Sequence, residues 1–158
     1  MQTATAIWII LAALSTAVVG GVYLGFSVLV MPALDGDARP TGVMKRINAL
    51  APRSPFMLAF TVSALSCGTS IVLVLLDLIT GAVAAWAAVI GVAGAVLGLA
   101  GFVITAAINV PLNNRLAEAA ANDEAAFAAF QRPWRRANST RGAASLAGAA
   151  ALLTSLLS

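Results

Sequence analysis

Two clusters of polar residues interrupt an otherwise apolar chain. The first is Asn109-Val-Pro-Leu-Asn113-Asn114-Arg115, three amides and a guanidinium around a proline. Amides both donate and accept hydrogen bonds, and a guanidinium only donates. Donors held together in an apolar setting can stabilise a carbonyl or an oxyanion. Asparagine beside a proline also satisfies stray backbone groups where a helix ends. Composition leaves both readings open. The second cluster is Trp134, Asn138, Arg141 and Ser145, spaced by 4, 3 and 4 so that all share one helical face. A cation turned into an apolar bundle needs a partner. Asp35, Asp37 and Asn48 are available, so Arg141 either pairs with an aspartate or holds an anion.

Other chemistries are poorly served. The chain has no histidine, which argues against His-ligated haem, most copper sites and a Glu-x-x-His di-iron centre. Asp77, at the end of an apolar run, is the only carboxylate near membrane depth, so no metal site is expected. The single cysteine, Cys67, reads as a small buried hydrophobe. Glycines crowd residues 91–101, but in an apolar helix rather than after a strand, so they do not form a phosphate cradle.

The elements that position these clusters are membrane helices. Hydrophobic residues make up 61% of the chain and charged residues 9%. A bilayer core of about 30 Å needs about 20 apolar residues of helix. Four spans follow, at about 6–31, 56–77, 82–108 and 134–157, in one domain over 1–158. The expected fold is all-α, a four-transmembrane-helix bundle with short interfacial helices between spans one and two and between three and four. The first run lacks a basic flank and is too long for a cleaved signal. Every Lys and Arg lies in residues 39–53 or 115–141. Cationic loops stay on the cytoplasmic side, so both charged segments are expected there and both termini outside. The pI near 10.0 is explained by topology and anionic lipid rather than nucleic acid.

Local signals add detail. Asp35-Gly36-Asp37 reads as a turn. Thr41 caps a helix over 42–50, ended by Pro52, and Ser54-Pro55 starts the second span. Residues 77–81 form a tight hairpin, making spans two and three antiparallel neighbours. Pro111 disrupts the helix leaving span three, and 112–121 continues as an interfacial helix. Asn122-Asp123 caps a helix over 124–131, and Pro133 begins the last one. Gly91, Gly94, Gly98 and Gly101 share a face, and Gly21/Gly25 and Gly94/Gly98 are GxxxG pairs suited to close helix packing. Thr16, Gly20, Tyr23 and Ser27 share a face of span one. Ser63, Ser66 and Ser70 on span two either bond their own backbone or line a polar cavity.

Four segments resemble the anthrone oxygenase-like family, domain-of-unknown-function family 1772. They are Gly21-Val-Tyr-Leu-Gly-Phe-Ser27-Val-Leu-Val-Met31-Pro32, Met44-Lys-Arg-Ile-Asn48, Asn109-Val-Pro-Leu-Asn113-Asn114-Arg-Leu-Ala117 and Trp134-Arg-Arg-Ala-Asn138-Ser-Thr-Arg141. Ala137 departs from the pattern, where a second aromatic often precedes the asparagine. The resemblance implies a four-helix membrane protein. It also implies, for some members, insertion of oxygen into polyketide anthrones without an obvious cofactor. An anthrone is a carbon acid whose enolate can itself reduce dioxygen, so neither metal nor flavin is required. On this reading Asn109, Asn113 and Arg141 stabilise the oxyanion. Tyr23 and Trp134 wall the rings, and Ser27, Asn48, Asn114 and Asn138 complete the binding site. Asp35, Asp37 or water takes the proton.

The leading expectation is a membrane protein that binds or oxygenates a lipophilic aromatic or quinone-like molecule. Two rivals stand beside it. One is a non-enzymatic subunit whose glycine faces oligomerise or dock on a larger membrane complex. The other is a small transporter or channel lined by the serine stripe.

Overall fold

The computed structural model describes residues 1–157, and they are helical almost throughout. Helix α1, Thr3–Gly25, carries no charge. It runs through a π turn, Phe26–Val30, into α2, Met31–Asp35. Helix α3, Pro40–Leu50, and a 3-10 turn, Ala51–Arg53, lead to α4, Pro55–Ile79. Helix α5, Ala85–Ile104, passes through a second π turn, Thr105–Asn109, into α6, Val110–Glu118. Helix α7, Glu124–Thr154, is followed by a 3-10 turn, Ser155–Leu157.

Three continuous helices, Thr3–Asp35, Pro55–Ile79 and Ala85–Glu118, are long and apolar enough to cross a bilayer. The shortest has 25 residues, about 38 Å at 1.5 Å per residue, against a core of about 30 Å. They mark the chain as a multi-pass membrane protein. Helix α7 is longer than α4 but less apolar. Its polar residues Asn138, Arg141 and Ser145 are buried inside the fold, while Arg132 and Arg136 near its start are exposed.

Pro111, expected to disrupt its helix, does not break it, and Pro32 is accommodated in the same way. A proline inside a helix has no N–H, and its ring collides with the carbonyl four residues back. Here the helix widens instead. The Met31 N–H reaches the Phe26 carbonyl and the Val110 N–H reaches Thr105, five residues back in each case. Each π turn ends two residues before a proline, Pro32 or Pro111. The chain therefore continues to Glu118 rather than breaking at Pro111. Pro133 likewise lies inside α7 rather than at its start. Phe127, Phe130, Trp134, Asn138 and Arg141, buried on both sides of it, form one stripe whose packing holds the helix together.

Helix α7 packs along α1 and α5, and α4 packs along the same two helices. Glycine sets the closest approach. A Cβ on Gly148 would lie 2.7 Å from the Gly94 carbonyl oxygen, and one on Gly98 would lie 2.7 Å from Cys67 Sγ. The glycine face of α5 thus turns inward against its neighbours. Gly21 and Gly25 do not pack as a pair, since nothing lies within 4 Å of either added Cβ.

The two ends of the molecule differ. At one end the α4–α5 hairpin turns at Gly81, whose φ is 73°, a value that favours glycine. Buried Asp77 accepts the Gln2 N–H there at 2.8 Å, anchoring the start of α1. The Met1 amino group donates to the Ala82 carbonyl. At the other end the two cationic segments come together. Gly42 N–H donates to Ala121 O at 3.0 Å, Lys45 Nζ to Ala119 O at 2.5 Å, and Arg135 pairs with Asp35 at 2.6 Å. Met31, Leu34, Met44, Leu116, Phe127, Phe130 and Trp134 form the apolar cluster beneath.

Thr41 is not the cap of α3. It sits inside the helix, and its hydroxyl donates to Asp123 O at 2.7 Å. Asp123 caps α7 by accepting the Ala126 N–H at 2.8 Å. Asp123→Ala should therefore lower stability by about 1 kcal/mol, read as a fall in melting temperature. An unchanged melting temperature would mean that this cap contributes nothing.

Candidate functional site

A cavity of about 380 Å³ opens at the cationic end, between α1, α3, the start of α4, the second π turn, α6 and α7. Its volume is in the range of small-molecule sites, which run from about 300 to 1,000 Å³. Tyr23, Phe26, Phe56, Phe60 and Trp134 make its aromatic walls. Asn48, Ser54, Thr105, Asn113 and Arg141 supply its polar groups. The rings are coupled. Tyr23 meets Phe56 edge-on at 5.9 Å, Phe56 stacks on Phe60 at 5.8 Å, and Phe26 meets Trp134 at 5.8 Å.

Arg141 is the centre of the polar side and is only 7% exposed. Its guanidinium carbon lies 3.9 Å from the Tyr23 ring centroid and 5.5 Å from that of Trp134, close enough for cation–π attraction. Nε and Nη2 donate to Asn138 Oδ1 at 3.3 and 2.9 Å, and Nη1 donates to Thr105 Oγ1 at 2.8 Å. All three bonds go to neutral oxygens. The expected pairing of Arg141 with an aspartate does not occur. Asp35 is taken by Arg135, and Asp37 Oδ1 accepts the Arg39 N–H at 2.7 Å. Both aspartates face a separate charged groove shared with Arg132 and Arg136. A cation is thus buried against the cavity with its charge unbalanced, which disfavours folding unless the position serves something else.

The backbone explains how Arg141 is held. Asn138 Nδ2 donates to the Tyr23 carbonyl and to Ser27 Oγ, each at 2.8 Å, just where α1 gives way to the first π turn. The amide therefore ties α7 to α1 and presents its oxygen to Arg141. Further along the same stripe of α7, Trp134 Nε1 donates to Asn113 Oδ1 at 2.9 Å. Gly142 lets α7 approach Tyr23, whose Cβ would lie 3.3 Å from an added Cβ.

Among the sequence candidates, Tyr23, Asn48, Asn113, Trp134 and Arg141 line the cavity. Asn138 and Ser27 stand behind Arg141 rather than in the wall. Asn109 is 1% exposed, has no hydrogen-bond partner at either side-chain atom, and is not in the wall. Asn114 is exposed on the outer side of α6. Thr105, Phe26, Phe56 and Phe60 were not among the candidates. Thr105 lies four residues before Asn109 and eight before Asn113, and Phe56 and Phe60 are four apart. Those helical spacings were visible but not distinctive.

The serine stripe is closed. Thr16 Oγ1 and Ser63 Oγ lie 2.7 Å apart, and Ser66 donates to Val62 O at 2.6 Å. Ser70 Oγ is buried without a partner. Ile9, Val74 and Leu152 pack as an apolar cluster beyond them.

A family model described as Anthrone oxygenase matches residues 53–151, from the start of α4 into the last turns of α7. No curated protein and no solved structure matches the chain. The matched segment is well over half of the chain and contains Ser54, Thr105, Asn113, Trp134 and Arg141 of the cavity wall, with Asn138 behind Arg141. The chain belongs to the anthrone oxygenase family.

Proposed function

We propose that the cavity binds a lipophilic aromatic carbon acid and promotes its oxygenation, with Arg141 holding the enolate oxygen. The observation that carries this reading is the buried guanidinium with no carboxylate partner among the described residues, facing an aromatic cavity. Donors already in place where negative charge develops need no reorganisation during reaction. Loss of a C–H proton gives a delocalised enolate. The enolate passes an electron to dioxygen, the two radicals combine, and loss of water from the hydroperoxide leaves a new carbonyl. Overall a CH2 group and O2 become C=O and H2O. Asp35 and Asp37 are committed outside the cavity, so water at the mouth takes the proton. Tyr23, Phe56 and Trp134 sandwich the ring system, and Asn113 donates to a second oxygen.

An oxygen electrode tests this with an anthrone as substrate. The protein should accelerate oxygen uptake over the buffer rate, and Asn113→Ala should lower kcat/KM about tenfold, the loss of one hydrogen bond. No acceleration by folded protein would reject the oxygenase reading.

We also propose that α7 is a fourth span, that the cationic end is cytoplasmic and that both termini lie outside. The distribution of Lys and Arg supports this. A reporter fused after the last residue should read extracytoplasmic, and a cytoplasmic signal would reverse the assignment. A second reading, a subunit that assembles through its outer surface, draws on the open Gly21–Gly25 face of α1. The transporter reading is disfavoured because Ser63, Ser66 and Ser70 are buried in helix packing, the first two of them hydrogen-bonded to Thr16 and to the backbone.

A further inference from the structure

The free hydrogen-bonding capacity of the cavity is mostly N–H. Trp134 Nε1 can only donate, so its bond fixes Asn113 with the oxygen towards the indole. The Asn113 NH2 group is left for the cavity. A guanidinium has five N–H donors, and three are used, on Asn138 and Thr105. Two remain. Asn48, in the wall formed by α3, has a buried amide nitrogen with no partner.

The hydroxyl protons are already spent. Thr105 gives its proton to Gly101 O at 2.8 Å. It must therefore accept from Tyr23, whose oxygen lies 3.3 Å away. Ser54 gives its proton to Ala51 O at 2.7 Å. What remains for acceptance is the oxygens of Tyr23, Ser54 and Asn48, fewer than the amide and guanidinium N–H groups that face them from three elements. The rim is apolar. Leu50 and Val110 line the cavity and are 57% and 44% exposed.

We propose that this cavity is a site for the head group of a lipid-soluble quinone, and that it binds the oxidised form in preference to the quinol. This rests on the reading of the cavity as a ligand site, though not on oxygenation. A quinone offers two carbonyl acceptors at opposite ends of a flat ring and no donor. Arg141 takes one carbonyl, and Asn113 and Asn48 take the other. The ring lies among Tyr23, Phe56, Phe60 and Trp134. An isoprenoid tail leaves over Leu50 and Val110 towards the bilayer. Reduction to the quinol turns each carbonyl into a hydroxyl whose proton meets N–H groups, leaving donors without acceptors in a desolvated site.

The test uses the purified full-length protein in detergent, kept anaerobic, with menadione and menadiol as probes and isothermal titration as the readout. Menadione should bind about tenfold or more tighter than menadiol. Asn113→Leu should abolish most of that preference. Asn48→Leu, which removes the amide on α3 and keeps the side-chain volume similar, should reduce it independently in protein whose thermal melt is intact. A naphthoquinone with one isoprenoid unit should bind tighter than menadione, and Leu50→Glu should remove most of that gain. Equal or tighter binding of menadiol overturns the proposal. So does failure of menadione to bind a protein that still binds an anthrone, in which case the ligand site stands and the quinone assignment falls. If folded protein binds neither probe nor an anthrone, both readings fall.

Discussion

Arg141→Gln should weaken binding of an ionisable anthrone by about a hundredfold at a pH where the probe is anionic. A charge-assisted hydrogen bond contributes about 1.5–3 kcal/mol, and glutamine keeps a donor but loses the charge. Arg141→Lys should not restore binding. A lysine ammonium lacks the planar fork that spans Asn138 and Thr105 while leaving donors for the cavity. Equilibrium dialysis with the anionic probe gives the affinity, and a thermal melt of the same samples reports the fold. If Arg141→Gln binds as well as the parent while remaining folded, the guanidinium does not hold the oxyanion and the proposed site is wrong. Loss of binding with an intact melt is the expected result.

Gly148→Leu should be the most damaging substitution in the helical core. Its added Cβ would lie 2.7 Å from Gly94 O and 3.0 Å from Gly98 N. These are backbone atoms of α5 and cannot swing aside as the end of a side chain can. Overpacking a well-packed site costs about 1–3 kcal/mol, and this contact leaves no easy relaxation. The expected outcome is a large fall in melting temperature or loss of monodisperse protein in size-exclusion chromatography. Gly21→Leu is the matched control, since nothing lies within 4 Å of its added Cβ. It should leave the monomer's melt unchanged. If Gly148→Leu behaves like Gly21→Leu, α5 and α7 do not approach as described. Because α7 carries Trp134, Asn138 and Arg141, pushing it away from α5 should also open the cavity.

The contrast between these two glycines shows where reading a single chain stops. Both occupy small-residue positions in apolar helices, and Gly21 and Gly25 have the better-known spacing. Only the packing of α7 against α5 distinguishes the glycine that has a neighbour from the glycine that does not. The same holds for the asparagines. Asn109, Asn113 and Asn114 sit within six residues of chain. One is sealed without a partner, one lines the cavity, and one is exposed. Helical phase separates them, and the π turn before Pro111 shifts that phase in a way that a regular period of 3.6 residues does not anticipate.

The residues alone determined the helical class, the apolar runs, the α4–α5 hairpin and the stripe that joins Trp134, Asn138 and Arg141. They also carried the family resemblance. These properties are local or compositional: hydrophobic run length, charge distribution and side-chain period act within one element. Tertiary structure decided what Arg141 meets. Either aspartate was a plausible partner by chemistry, but Asp35 is held by Arg135 and Asp37 by the backbone at Arg39. Tertiary structure also decided that two prolines widen helices instead of ending them, and that α3, α4 and α7 enclose a cavity. Those outcomes depend on contacts between residues as much as 115 positions apart, as between Asn138 and Tyr23, and a proline's local penalty is outweighed when packing on both sides of it keeps the helix in place.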